Sequence, residues 1–205
     1  MGKPVALLAL LVLPLVISSV AAEDPPKRSE AEEKALARIR ELGGLALELA
    51  QNDPSLEVSY HLTRDKITDE HLILLSQLKS LVHLNLRGKE VTDAQLAYLE
   101  GLTTLTRLHL EKTKITDKGL EHLKGLTNLE YLNLYGTDIT DKGLEHLAGL
   151  KKLKKLYLWQ TKVSDAGVAK LQKALPDLDI NRGIELAKPE EKKPEAKPKE
   201  KKDKK

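Results

Sequence analysis

The chain has no cysteine, no phenylalanine, one tryptophan and only 3 % aromatic residues in 205 positions. The missing thiol excludes disulfide-closed caps, a thiolate nucleophile, thiolate zinc sites and lipid attachment to an N-terminal cysteine. The missing phenylalanine leaves leucine, isoleucine and valine to build the core. A strong excess of one charge is lacking too, since the formal net charge is +3. Residues 188–205 hold nine lysines against five acids, a surplus of +4, so the other 187 residues sum to −1. A nearly neutral body does not imply nucleic-acid binding.

Long apolar runs are also absent, except at the start. In residues 1–22, Lys3 precedes an apolar stretch from Val5 to Ile17, and Val20 and Ala22 stand at the −3 and −1 positions before Glu23. This reads as a secretory signal peptide cleaved after Ala22. An uncleaved anchor is the competing reading, although the run is short for a membrane span and contains Pro14. Either way the remainder is expected outside the cytoplasm, secreted or in the periplasm or cell envelope.

Residues 23–30 read as a linker and 31–55 as an N-terminal cap. Ser29 and Glu32 are spaced as a capping box. Leu36, Ile39 and Leu42 continue a helix that Gly43-Gly44 ends. Leu45, Leu47 and Leu49 then alternate as in a strand before the turn signal Asn52-Asp53-Pro54-Ser55; one longer helix through Ala50 is the alternative. Residues 183–205, rich in Lys, Pro and Glu, have too few apolar residues to pack and read as a disordered tail. With acids interleaved, that tail reads as a solvated extension, and attachment to anionic surfaces is the alternative.

From about residue 56 to 182 the chain repeats with a period of 24. Residues 105–126 (LTRLHLEKTKITDKGLEHLKGL) are echoed by 129–150 (LEYLNLYGTDITDKGLEHLAGL). Ile-Thr-Asp or its relatives recur at 67–69, 91–93, 115–117, 139–141 and 163–165. A fixed period of this size marks a solenoid. Leu108 and Leu110 alternate with polar neighbours, as in a short strand with one buried face. Leu120 and Leu123 follow at helical spacing. Thr116-Asp117 suits the helix start, and Gly125 is placed to close the helix in a left-handed conformation. One strand and one helix cannot enclose a core alone, whereas stacked copies share one. The columns Leu84, Leu108, Leu132, Leu156 and Leu86, Leu110, Leu134, Leu158 would form it.

These residues resemble the leucine-rich repeat family, with its pattern L-x-x-L-x-L-x-x-N-x-L, and in particular the short bacterial type with T-D-x-G-L helix starts. The resemblance covers roughly residues 54–182. It implies an α/β solenoid with short parallel strands on the concave face, one helix per repeat on the convex face, and an N-terminal helical cap. Protein–protein interaction without catalysis is the usual role it implies. The chain departs from the family at the asparagine slot, which holds Asp65, Lys89, Thr113, Thr137 and Thr161. Three threonine hydroxyls can serve the turn backbone there. Lys89 is not expected to, which would loosen the second turn.

Side chains between the strand leucines face the concave surface. The first outward column is Ser59, His83, Arg107, Tyr131, Lys155. The second is His61, Asn85, His109, Asn133, Tyr157, and the third is Thr63, Arg87, Glu111, Tyr135, Trp159. Four of the six Tyr and Trp residues fall in the two late repeats. Tyr131, Tyr135, Tyr157 and Trp159, rimmed by Arg107, Glu111, Asn133 and Lys155, form the candidate binding patch. Packing of the rings on one another is the purely structural alternative. The expected face, roughly 24 Å by 17 Å, is smaller than the roughly 800 Å² per partner of a standard interface. It suits a protein segment or peptide, with a carbohydrate or cell-wall polymer as the alternative ligand and a structural envelope role as a third reading. His61, His83 and His109 are too far apart for a metal site. No nucleophile triad, phosphate loop or metalloprotease motif is present. Asp69, Asp93, Asp117, Asp141 and Asp165 are each accounted for by helix capping. No cofactor is expected, and membrane contact is expected only through an uncleaved leader or the lysine tail.

Overall fold

The computed structural model describes residues 28–183 apart from residue 52, so the expected signal segment, residues 23–27 of the linker and all of the tail but residue 183 lie outside the described residues. Seven strands form one sheet in chain order: β1 (Leu45–Glu48), β2 (Leu56–Ser59), β3 (Leu81–Asn85), β4 (Arg107–His109), β5 (Tyr131–Asn133), β6 (Lys155–Tyr157) and β7 (Asp179–Asn181). β1 runs antiparallel to β2, and every later pairing is parallel. Helices α1 (Glu30–Glu41), α2 (Asp69–Ser76), α3 (Asp93–Leu96), α4 (Asp117–Glu121), α5 (Asp141–Leu144) and α6 (Asp165–Ala174) cover the other side. α3 and α5 each run on into a tighter 3₁₀ turn. Between strand and helix, Leu84, Leu108, Leu132 and Leu156 are fully buried, as are Leu86, Leu110, Leu134 and the Val91, Ile115, Ile139 column.

The cap folds as helix then strand. Ser29 caps α1 with a reciprocal bond to Glu32, and Arg28, at the end of the expected linker, pairs with Glu48 and the Pro54 carbonyl. The alternation of β1 is turned the other way from a leucine-lined cap. Ala46 is the buried residue, while Leu45, Leu47 and Leu49 stay 44, 48 and 41 % exposed. α1 packs on the inner side of β1 and fills that side with Ala35, Leu36 and Ile39.

Register in the first repeat also departs from the even 24-residue spacing. Glu57, Val58 and Ser59 pair with His83, Leu84 and Asn85, an offset of 26. The turn between Tyr60 and Ile67 is two residues longer than its later copies, although the helix starts stay in step. Tyr60 therefore fills the Leu86 column, fully buried, and Leu62 is left 73 % exposed. Ser59 and His61 move out of the columns the even period gives them. Tyr60 meets the His71 ring edge-on at 5.2 Å; its hydroxyl is buried without a partner.

The asparagine slot is served in two ways. The hydroxyls of Thr113, Thr137 and Thr161 donate to the carbonyls of Leu110, Leu134 and Leu158 at 2.8, 2.6 and 2.7 Å. Contrary to expectation Lys89 also secures a turn. Its buried ammonium donates to the Thr63 carbonyl and, at 3.4 Å, to that of Asp65, tying the second repeat to the long turn of the first. A long aliphatic stem that reaches a neighbouring repeat replaces the local hydroxyl. Gly125 is not left-handed. The left-handed column follows each strand instead, at Gly88, Lys112, Gly136 and Gln160. Helix α4 ends at Glu121, so Gly125 lies in the turn beyond it, where Thr127 N–H donates to its carbonyl.

Contrary to expectation the aspartates are not the caps: each is the first residue of its helix behind a Thr or Ser N-cap, and its carboxylate bonds outside that helix. Asp93 accepts from the Thr116 N–H at 2.7 Å and its hydroxyl at 2.6 Å, 23 residues later. Asp117 does the same for Thr140, and Asp141 for Ser164. At the starts of α4, α5 and α6 the N–H of the cap residue is thus taken by the preceding repeat. Where the third helical residue is His71 or Gln95, its own side chain takes the N–H of Thr68 or Thr92. Where it is glycine, at 119 and 143, a Cβ would lie 2.5 Å from the incoming Asp93 or Asp117 oxygen, and at 167 it would lie closer still to that of Asp141. The T-D-x-G motif is therefore an inter-repeat joint. Bonds from Ser164 hold the Asp141 carboxyl below the usual carboxylate range.

Candidate functional site

The outward residues of β3–β7 form a continuous surface because parallel pairing stacks like positions. Arg107, Tyr131, Lys155 and Asp179 share one row, and His109, Asn133, Tyr157 and Asn181 the next. The third row extends past the strands, where Gly88 N–H donates to the Glu111 carbonyl, Lys112 N–H to that of Tyr135 and Gly136 N–H to that of Trp159.

Two ring stacks cross this surface. His109 lies 4.8 Å from Tyr131, which lies 5.3 Å from Tyr157. Tyr135 stacks on Trp159 at 5.2 Å and 30°. Cations of the chain sit on both stacks, the Arg107 guanidinium 5.8 Å from the Tyr131 ring and the Lys112 ammonium 5.4 Å from that of Tyr135. Burial between its neighbours raises the Tyr131 phenol above the ordinary tyrosine value.

The second stack opens into a groove of ≈ 940 Å³ between the sheet surface and the chain after β7. Of the eight residues singled out from sequence, Glu111, Asn133, Tyr135, Tyr157 and Trp159 line it. Arg107, Tyr131 and Lys155 lie in the first row and do not. Tyr131 and Arg107 are engaged with each other, and Lys155 is exposed at the margin. Asn133 is committed internally: its carbonyl takes the Tyr135 N–H at 3.0 Å and its amide donates to the Tyr131 hydroxyl at 3.3 Å. Asn85 and Asn181 make the same turn bond to Arg87 and Gly183.

Glu111 is not part of a polar rim. It is 5 % exposed, bonded through one carboxylate oxygen to His109 Nδ1 at 2.9 Å, and its other oxygen is buried without a partner. A ring nitrogen facing a carboxylate carries the proton, which fixes the His109 tautomer. The groove wall also includes Arg87, which stands in the third outward column, and Asp179, Asn181 and Arg182, which lie beyond the ends of the three columns. Asp179 and Asn181 were within reach of the repeat, since Ile180 falls 24 residues after Leu156 and pairs with it. Arg182 is bonded to the Asp165 carboxylate and the Val163 carbonyl, closing the last repeat.

The three histidines each have a separate partner: Ser59 for His61, Glu57 for His83 and Glu111 for His109. Among the described residues no group of three or more His, Asp or Glu is placed to hold a metal ion, and no helix is long and apolar enough to cross a membrane.

Residues 103–163 match the family model described as leucine rich repeat. Among solved structures, internalin C2 of Listeria monocytogenes is 33 % identical over 53 % of this chain and 44 % of its own, with a TM-score of 0.46. A second internalin of the same organism is 26 % identical over 65 % of this chain and 36 % of its own, with a TM-score of 0.52. The chain thus spans less than half the length of either internalin. No curated protein matches it.

Proposed function

As the chain is a leucine-rich repeat solenoid, a fold that serves protein interaction in general, we propose that it is an exported binding module without catalytic activity. It holds a protein or peptide segment on the late half of its concave face. The observation that carries this reading is the stacked Tyr135–Trp159 pair on the wall of the groove. Trp159 remains 50 % exposed. An indole left half in water by a chain with only one tryptophan is unusual for a purely structural ring, and rigid amphipathic rings anchor bound segments at low entropic cost. Export rests on residues 1–22, and cleavage after Ala22 predicts a mature N-terminus at Glu23.

The test is capture from an envelope extract with the protein and with Tyr135, Tyr157 and Trp159 replaced by Ala, circular dichroism establishing that both fold. A partner kept by the first and lost by the second is the expected result. Identical captures would assign the rings to sheet packing and overturn the reading. Mass spectrometry of the exported protein tests the leader, and an intact Met1 would contradict cleavage.

A further inference from the structure

The chemistry of the groove narrows what it takes. We propose that it recognises a cationic side chain, an arginine or lysine of the bound segment, seated between the Tyr157 and Trp159 rings and the Glu111 carboxylate that lines the same groove. This rests on the binding role just proposed and adds the ligand's charge to it.

Glu111 is the central observation. A carboxylate 5 % exposed, with one oxygen on His109 and the other buried without a partner, is an unfinished arrangement. Burial of a charge is costly unless an opposite charge or a full set of donors is supplied. The cations nearby are placed elsewhere: Arg107 on Tyr131, Lys112 on Tyr135, and Arg182 on Asp165 and the Val163 carbonyl. Arg87 is the neighbour of Glu111 in the third row, one strand spacing or about 5 Å away, and lines the same groove, but it is not the partner of the second Glu111 oxygen, which is left without one.

A positive group in the groove would be attracted by this carboxylate without having to touch it, because Glu111 lines the groove and is buried, where a charge is little screened. Exposed Asp179 adds a second carboxylate to the opposite wall. The rings contribute in the same direction, since an aromatic face attracts cations and indole does so most strongly. The positions of Arg107 and Lys112 show the chain's own cations using two rings of this surface in that way. A neutral sugar would use the rings but leave Glu111 uncompensated.

Trp159 is the only tryptophan, so its emission reports on this groove alone. The protein, expressed from its full sequence and processed by the cell, is titrated with acetyl-Gly-Gly-Arg-Gly-Gly-amide and with the same peptide carrying citrulline, which keeps the shape and removes the charge. The arginine peptide is expected to shift the emission saturably and the citrulline peptide to bind roughly ten-fold more weakly. Glu111→Gln, which keeps the acceptor for His109, is expected to erase that difference. Equal affinity for the two peptides, an unchanged preference in Glu111→Gln, or no saturable response to either would overturn the proposal. If it fails in any of these ways while the captured partner is still lost from the ring variant, the aromatic face stands and only its charge preference falls. If the ring variant keeps the partner as well, both fall.

Discussion

Replacing Gly119 with Ala sets helix propensity against the joint between repeats. In an ordinary helix interior the change stabilises by about 1 kcal/mol. At Gly119 the new methyl would lie 2.5 Å from Asp93 Oδ1 and 3.1 Å from Leu96 Cδ1. Asp93 cannot give way cheaply, because Thr116 holds its two oxygens at 2.7 and 2.6 Å. Displacing the carboxylate forfeits bonds to a charged group worth roughly 1.5–3 kcal/mol, so the net effect is a loss of about 0.5–2 kcal/mol. The same substitution in an Asp93→Ala background has no carboxylate to displace and should be neutral or stabilising, which makes the pair coupled by about 2 kcal/mol. Urea denaturation of the two single variants and the double variant measures this. A Gly119→Ala protein more stable than wild type, or an equal cost in both backgrounds, would refute the joint.

Three further outcomes follow from individual contacts. Tyr60→Phe removes a buried hydroxyl without a partner and should leave stability unchanged or raise it by up to about 1 kcal/mol; a clear loss in thermal melting would contradict the assignment. Gln160→Gly relieves a left-handed backbone at φ 55 and should raise stability by about 0.5–1 kcal/mol, read from the denaturation midpoint. The Asp141 carboxyl is held low by Ser164, so its contribution is present above the ordinary aspartate value of 3.8 and is lost as pH falls through the depressed folded value. Melting temperature should therefore fall less between pH 5 and pH 2 in Asp141→Asn than in wild type; parallel curves would exclude the bond.

The fold was legible because period is a property of sequence, and five helix starts in step leave little choice of architecture. What escaped was mostly relational. The period was measured on Ile67, Val91 and Ile115, at the helix starts, and this cannot register that the first strand sits two residues earlier. The alternation Leu56, Val58, Tyr60 carried that information. Asp117 reads as a cap when one repeat is considered alone, and its role between repeats appears only once the next Thr140 is stacked above it. Leu45, Leu47 and Leu49 gave a strand but not the side it faces, which is decided by α1 filling the inner side with larger residues.

At the candidate site the columns brought the four rings into one patch, whereas the rings form two separate stacks. Tyr131 and Arg107 engage each other, whereas Tyr135, Tyr157 and Trp159 share a groove whose far wall comes from β7 and the two residues after it. Burial of Glu111 was not legible, because an outward position in a strand pattern does not say that a histidine and neighbouring side chains will cover it.

The most direct measurement of the central claim is amide hydrogen exchange on the protein with and without its captured partner. Slowed exchange at residues 107–111, 131–135, 155–159 and 179–183, with the helical side unchanged, is the predicted result. Protection confined to α6 or to the N-terminal cap, with those four segments unaffected, would contradict it.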